Sequence, residues 1–237
     1  MIKFAQLKKR FDVRRMQDEV YKLEDGLWKR HYNTSKYEGG WTTLQLRSIN
    51  GSTENNISIQ GSALHKNMAY KDTPLLEQYP YLQSVISFFE CEKMAVRLMK
   101  LDAGAVIKEH TDHEMNFESG ETRFHIPIQT NPGVTFFIEE QIIPMNEGEC
   151  WYLNLSLKHR VNNFGNASRI HLVIDCKVNE WVKTLLNENA ELREEIKENR
   201  EDISYNDSDR TKIIQHLRLM GTSTSIELAD KMESGKN

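Results

Sequence analysis

Hydrophobic and polar positions divide the chain into two unequal parts. Up to about residue 177, apolar residues cluster in short runs rich in β-branched and aromatic side chains, and turn residues separate the runs. Beyond that point the chain is dense in charged residues, and its apolar positions recur at helical spacing. The pattern predicts a mainly β domain over residues 1–177, including an N-terminal helical segment, followed by a helical, partly disordered extension over residues 178–237.

The first part contains a regular succession of candidate strands. They are Trp41–Ile49, Ala95–Leu101, Thr122–Ile128, Val134–Ile138, Cys150–Leu155 and Arg169–Asp175. Turn sequences with glycine, such as Asn131-Pro-Gly133 and Asn146-Glu-Gly148, separate several of them. Short strands at such intervals favour a β-sandwich or barrel over a doubly wound sheet.

Two segments before most of these strands have helical character. Val13–Leu23 places apolar residues at positions 13, 16, 20 and 23, which lie on one helical face. Thr73 and Pro74 open a second predicted helix that continues to Phe89, because proline is tolerated in a first helical turn. Pro80 is a potential break within that helix.

The charged tail contains an apolar repeat with spacings of three and four residues. Its positions are Val182, Leu185, Asn189, Leu192 and Ile196. The spacing predicts a helix and leaves two interpretations open, an amphipathic helix packed on its own domain or a short coiled coil that forms a homodimer. Residues 199–209 are typical of a solvated linker, Thr211–Met220 of one more short helix, and the last residues of a disordered end.

Composition argues against several classes of protein. The chain has 31 Lys and Arg against 35 Asp and Glu, a formal net charge of −4, so it lacks the basic excess of many nucleic-acid and membrane-surface binders. It has no apolar run of ~20 residues, and its first residues lack the apolar core of a signal peptide. Three cysteines without a CxxC spacing disfavour a disulfide framework. We expect a cytoplasmic protein that binds neither nucleic acid nor membrane.

Candidate metal chemistry begins at a His-x-Asp pair. In an extended segment, His110 and Asp112 place an imidazole and a carboxylate on the same face. Together with a distal histidine, such a pair forms the 2-His-1-carboxylate triad, which leaves metal positions open for a substrate and O₂. The pair alone is common by chance, so the assignment depends on what else the chain carries.

Three further elements follow in order along the chain. His159 lies just after a predicted strand, and Arg169 begins the next one. Between the His-x-Asp pair and His159, the segment Arg123-Phe-His125 places an arginine and a histidine on one face of a predicted strand.

Taken in this order, His110-x-Asp112, Arg123-x-His125, His159 and Arg169 resemble the aspartyl/asparaginyl β-hydroxylase family of Fe(II)- and 2-oxoglutarate-dependent dioxygenases. That family includes bacterial hydroxylases of free amino acids such as proline. The resemblance is clearest over Glu92–Asp175. It implies a double-stranded β-helix, also called a jelly roll, with iron at one end.

The resemblance also implies roles for individual residues. His110, Asp112 and His159 would bind Fe(II), and Arg169 would pair with the distal carboxylate of the cosubstrate 2-oxoglutarate. Arg123 and His125 would bind a carboxylate, with the choice between cosubstrate and substrate left open. These assignments imply hydroxylation of an unactivated C–H bond with O₂, releasing succinate and CO₂.

The substrate class follows from fewer observations. Glu121 stands where certain peptide-hydroxylating members carry an arginine, and it could pair with the ammonium of a small substrate. We therefore expect a free amino acid or an analogue as the substrate. The alternatives are β-hydroxylation of Asp or Asn residues in a polypeptide, a non-catalytic metal-binding cupin-like module, and zinc-dependent hydrolysis.

Other polar and aromatic residues lie near these motifs or in the N-terminal segment. Trp41 and Arg47 could contact the substrate, and His171, which shares a strand face with Arg169, could line the pocket. His113 adjoins the triad but is predicted not to bind the metal, because it points to the opposite face of an extended segment. His31 is predicted to have a surface or structural role.

Overall fold

The computed structural model describes residues 1–54, 69–113, 115–196, 207–220 and 223–234. The chain divides into two compact units, Met1–Ile196 and Lys197–Asn237. Strands dominate the first unit, and helices form the described part of the second.

The elements have the following bounds. The strands are β1 (Ile2–Arg10), β2 (Lys29–Arg30), β3 (Tyr37–Glu38), β4 (Trp41–Ile49), β5 (Tyr70–Asp72), β6 (Lys93–Leu101), β7 (Val106–His110), β8 (Glu121–Gln129), β9 (Val134–Ile138), β10 (Gln141–Ile143), β11 (Glu149–Leu153), β12 (His159–Asn163), β13 (Arg169–Lys177) and β14 (Ala190–Glu195). The α-helices are α1 (Val13–Val20), α2 (Pro80–Ser87), α3 (Glu180–Glu188), α4 (Asp207–Met220) and α5 (Ser223–Glu233).

Two antiparallel sheets make up the first unit. The larger has the order β14-β1-β11-β8-β13-β6-β4-β2 with β5 on β4, and the smaller has the order β10-β9-β12-β7-β3. Among the eight consecutive strands β6 to β13, the first pairs with the last, the second with the seventh, the third with the sixth and the fourth with the fifth. This nested pairing is a jelly roll, so the predicted fold is confirmed.

The two faces of the larger sheet differ in chemistry because side chains alternate along each strand. On β8, Phe124, Ile126 and Ile128 face one way and are fully buried in a core that α1, α2 and α3 help to form. Arg123 and His125, on the opposite face, are also buried. The helices thus cover the apolar face, and the polar face points into the jelly roll.

Several predicted boundaries differ from the observed ones. Helix α1 ends at Val20, before the predicted Leu23. The second predicted helix is divided, because Leu76–Gln78 forms a 3₁₀ turn and α2 begins at Pro80. Proline fits there since the first turn of a helix does not use its N–H groups. Strands β4 and β9 have the predicted bounds, whereas β1, β7, β10 and β12 were not predicted as strands.

The tail differs most from its prediction. Helix α3 ends at Glu188, and the chain returns as β14, which pairs antiparallel with β1. The prediction of a helix through Ile196 is therefore wrong. The chain forms a strand there because an edge of β1 would otherwise lack backbone hydrogen-bond partners. Val182 and Leu186 of α3 pack into the core, so the first unit extends to Ile196 and not to residue 177. A homodimer through the C-terminal helices stays a prediction.

The second unit has its own contacts. Helix α4 contains the predicted Thr211–Met220, while most of the predicted linker lies outside the described residues. Helix α5 follows, and Arg218 of α4 pairs with Asp230 and Glu233 in it. The disordered end was predicted without bounds, and residues 235–237 lie outside the described part of the chain. Among the described residues, no helix is long and apolar enough to cross a membrane.

Candidate metal centre

Strand pairing brings the predicted triad together. His110 ends β7, His159 begins β12, and the two residues are paired across the smaller sheet with ring centroids 4.2 Å apart. Asp112 follows β7, and its backbone N–H donates to the carbonyl of Leu155 at 2.8 Å. One potential ligand atom from each of the three residues lies within 4.8 Å of the others. This is the geometry of a site for one ion.

Backbone carbonyls orient both imidazoles. Nδ1 of His110 lies 2.7 Å from the carbonyl of Lys108, and Nδ1 of His159 lies 3.0 Å from that of Leu157. A proton on Nδ1 donates to each carbonyl, which leaves the Nε2 lone pair available to a metal. Nε2 of His110 lies 3.7 Å from Oδ1 of Asp112.

Arg123 lies directly behind the triad. Its Nη1 donates to Oδ2 of Asp112 at 2.6 Å, while Nε and Nη2 donate to the two carboxylate oxygens of Asp175 at 2.6 and 3.0 Å. Burial alone would lower the pKa of Arg123, but the two carboxylates raise it overall. Every nitrogen of this guanidinium contacts a protein carboxylate, so Arg123 is positioned to hold Asp112.

Arg169 is a buried cation that lies beside a histidine. It is 2% exposed, its Nη2 lies 2.7 Å from Nδ1 of His171, and its Nε has no hydrogen-bond partner. It forms no ion pair with an acidic side chain in the described part of the chain. Burial lowers its pKa to about 9. An anion that entered the cavity would compensate this charge.

Arg97, on β6, is an arginine of this site that the sequence motifs did not indicate. It is 2% exposed, its Nη2 donates to Oδ2 of Asp175 at 2.7 Å, and its buried Nε has no partner. Arginine in a strand lacks a spacing pattern of its own. The sequence indicated only that Arg97 and Met99, two residues apart, lie on the same face of β6.

A cavity of about 280 Å³ contains these groups. Its polar lining includes the triad, the three arginines, His125 and Lys36, and its apolar lining includes Met99, Ile107, Phe136, Leu155 and Val161. His125 carries an unpartnered, buried Nε2, and its ring centroid lies 5.8 Å from that of Phe136. The rings of Phe136 and His159 are nearly parallel, with centroids 6.3 Å apart.

The N-terminal segment forms another wall of this cavity. His31 stacks on Trp41 with centroids 3.6 Å apart and planes 9° apart, and both rings line the cavity together with the exposed Tyr32. Trp41 thus lines the cavity, and its contact with a substrate stays a prediction. His31, for which a surface or structural role was predicted, lines the cavity as well. Burial and the Arg97 guanidinium lower the pKa of His31 to about 3.

Other predicted residues lie elsewhere. Arg47 pairs with Asp72 and donates to the carbonyl of Lys93, outside the cavity. His171 lies behind Arg169 and does not line this cavity, and neither does Glu121 at the start of β8. The predicted pairing of Glu121 with a substrate ammonium therefore has no support. His113 lines the cavity but is not part of the triad.

A family model described as Aspartyl/Asparaginyl beta-hydroxylase matches residues 10–178. The chain belongs to this family. It is 28% identical over 181 residues to an L-proline cis-4-hydroxylase of Rhizobium meliloti (strain 1021), covering 76% of this chain and 62% of the relative. It is 26% identical over 142 residues to an L-proline cis-3-hydroxylase of Streptomyces sp, covering 58% of this chain and 47% of the relative.

This aspartyl/asparaginyl β-hydroxylase family member thus spans less than two thirds of the length of both curated relatives. Among solved structures, it is similar to a Pseudomonas putida prolyl-4-hydroxylase with a TM-score of 0.47 and 10% identity, covering 76% of this chain and 94% of that chain.

The residues of this family member fit a divalent iron and a dicarboxylate. Two imidazoles and one carboxylate are a donor set suited to Fe(II) with open positions. In the same cavity, the unpartnered Nε of Arg169 and Nε2 of His125 can meet carboxylate oxygens.

Buried histidines make the metal-free protein sensitive to acid. Burial lowers the pKa of His159 to about 4 and holds the pKa values of His125 and His171 well below their usual range. Below about pH 6.5 the unfolded chain binds more protons than the folded one, so the free energy of unfolding falls as the pH drops towards 4. For His159 alone we expect a loss of about 2 kcal/mol at pH 5 relative to pH 7.5.

Urea unfolding of the EDTA-treated protein at the two pH values measures this loss. His159→Gln should reduce the loss by that amount, whereas His216→Gln, at an exposed position, should leave it unchanged. Equal stability at both pH values would contradict the prediction.

Proposed function

We propose that this protein uses Fe(II), 2-oxoglutarate and O₂ to hydroxylate an unactivated C–H bond of a free amino acid or a close analogue, releasing succinate and CO₂. One observation carries the proposal. The buried guanidinium of Arg169, which forms no ion pair within the described part of the chain, lines the same cavity as the His110, Asp112 and His159 triad. A metal site without such chemistry has no need of a second, buried anion site.

Each residue has a part in this reaction. His110, Asp112 and His159 hold the iron, and Arg169 binds the distal carboxylate of 2-oxoglutarate through its planar fork. His125 lines the cavity with both groups and offers Nε2 as a polar contact. Bound there, Fe(II) and 2-oxoglutarate would activate O₂ for removal of a hydrogen from carbon, and the protein would position the substrate and exclude water.

Charge inside the jelly roll favours a substrate that carries a carboxylate. Arg97, Arg123 and Arg169 supply three positive charges, and Asp112 and Asp175 supply two negative ones. Fe(II) and the 2-oxoglutarate dianion cancel each other, which leaves a charge of +1 on these groups, in addition to the partly exposed Lys36. A single carboxylate balances it, and Arg97 can bind that carboxylate because its buried Nε is unpartnered.

The rest of the cavity suits a small aliphatic body. Trp41, Met99 and Leu155 supply apolar walls within a volume of about 280 Å³. The substrate ammonium can stay solvated at the mouth, beside the exposed Tyr32. The names of the two curated relatives, both hydroxylases of L-proline, support a free amino acid.

Mass spectrometry tests this substrate class. The protein is incubated with Fe(II), 2-oxoglutarate and air, in one series with free amino acids and in another with peptides that contain Asp or Asn. We expect a +16 product among the free amino acids. A +16 product confined to the peptides would contradict the proposed substrate class and favour polypeptide β-hydroxylation.

Arg97→Gln gives the matched test of the carboxylate contact. Loss of a buried charged partner costs about 2–5 kcal/mol, so the KM for the amino acid should rise by at least roughly 30-fold. Arg47→Gln removes an arginine from the neighbouring strand outside the cavity and should leave this KM unchanged.

A further inference from the structure

A buried chain of ion pairs runs behind the triad. Arg97 binds Asp175, Asp175 binds Arg123, and Arg123 binds Asp112, with N–O distances between 2.6 and 3.0 Å. Three of the four residues are at most 6% exposed, and the side chain of Asp112 is 20% exposed. We call these four residues the ionic chain.

Asp175 is the centre of the ionic chain. It lies on β13 directly across from Arg123 on β8, so both side chains project from the same face of the sheet. Its Oδ1 accepts from Nε of Arg123, and its Oδ2 accepts from Nη2 of Arg123 and from Nη2 of Arg97. The pairing with Arg123 is bidentate, which fixes the plane and the direction of the guanidinium.

This bidentate pairing controls how Arg123 meets Asp112. With Nε and Nη2 occupied by Asp175, Arg123 has Nη1 left for Asp112, and that nitrogen binds Oδ2 alone. The other oxygen, Oδ1, lies on the side of the imidazole of His110. Without Asp175, Arg123 could take both oxygens of Asp112 in a fork and compete with a metal for them.

We propose that Asp175 is a positioning residue for the metal centre, because it restricts Arg123 to one oxygen of Asp112 and leaves the other oxygen to the metal. The proposal deepens the proposed function and rests on its metal ligands, but it requires neither 2-oxoglutarate nor turnover. Residues that hold metal ligands in this way tune metal affinity by roughly 10- to 100-fold.

Titration with Co(II), followed by visible absorbance without 2-oxoglutarate or substrate, measures the effect directly. Asp175→Asn should weaken Co(II) binding by roughly 10- to 100-fold. The matched control is Glu149→Gln, which neutralises another buried carboxylate, one bound to Trp151 Nε1 and outside the cavity. Its Co(II) affinity should equal that of the wild type.

A double-mutant comparison separates positioning from a general loss of structure. If Asp175 acts through Arg123, then Asp175→Asn should cause no further loss of Co(II) affinity in an Arg123→Gln background. The same fold-loss in both backgrounds would overturn the proposal, and so would wild-type affinity in Asp175→Asn. Asp175→Glu, which keeps the carboxylate, should recover part of the lost affinity.

Asp175→Asn leaves two buried arginines short of a partner and is at risk of unfolding. The double variant Asp175→Asn with Arg97→Gln removes one charge of each sign and avoids this imbalance. It should bind Co(II) roughly 10- to 100-fold more weakly than Arg97→Gln alone, which keeps the bidentate pair between Asp175 and Arg123. Wild-type affinity in the double variant would overturn the proposal.

The outcome is independent of the hydroxylation assay. Absence of a +16 product would count against the proposed function and leave the Co(II) series interpretable. Weak Co(II) binding by the wild type itself would count against the metal centre, and with it against both proposals.

Discussion

His110→Ala is expected to abolish both iron binding and hydroxylation while the chain stays folded. The variant removes one of three metal ligands, so its affinity should fall by more than the roughly 10- to 100-fold that loss of an outer partner causes. The His110 ring faces the cavity at the end of β7 and contributes little to the core. Iron per chain after anaerobic loading and desalting, together with the melting temperature, measures both effects.

The adjacent histidine provides the control for this variant. His113→Ala changes an exposed imidazole that lies outside the triad, and it should retain the iron content of the wild type. Unchanged iron content and turnover in His110→Ala would show that the triad is assigned wrongly.

Arg169→Ala is expected to raise the KM for 2-oxoglutarate by about two to four decades. Removing one partner of a buried charge pair costs on the order of 3–5 kcal/mol, and each 1.4 kcal/mol is about a tenfold change. Iron content should not change, because Arg169 is not a member of the triad. Initial rates over a range of 2-oxoglutarate concentrations at saturating iron measure the shift.

Arg169→Lys distinguishes geometry from charge. An ammonium retains the positive charge but lacks the planar fork, so this variant should recover part of the affinity lost in Arg169→Ala. A 2-oxoglutarate KM that does not change in Arg169→Ala would rule out the proposed role.

The sequence indicated the triad through the His110-x-Asp112 pair and, for His159, through the family resemblance that the ordered set of motifs carries. The apolar alternation of β4 and β9 was strong enough to define both ends of each strand. In contrast, β7 and β12 carry the two histidines but are short and rich in polar residues. Their strand structure comes from pairing within the smaller sheet, which the local sequence pattern does not predict.

The missed parts of the site depend on contacts between distant segments. The pairing of Asp175 with Arg123 follows from the register of β13 against β8, and Arg97 reaches the cavity through the pairing of β6 with β13. His31 lies far from the triad in sequence and reaches the cavity through its stacking on Trp41. Residue spacing predicts which side chains share a face, but not which strands become neighbours.

The charged segment of β14 shows the same limit. Ala190–Glu195 has the composition of a solvated helix, and its spacing with Val182 extends a helical repeat. Pairing with β1 overrides that local preference, because an open edge of the larger sheet offers a full set of backbone partners.

Succinate formation tests the central claim most directly. The wild-type protein, His110→Ala and Arg169→Ala are each incubated in air with Fe(II), 2-oxoglutarate and the twenty amino acids one at a time. We expect the wild type to release succinate with at least one amino acid, in equal amount to a +16 product, and both variants to fail to do so at low 2-oxoglutarate. Succinate at the same rate in all three proteins, or none above the protein-free blank in the wild type, would contradict the central claim.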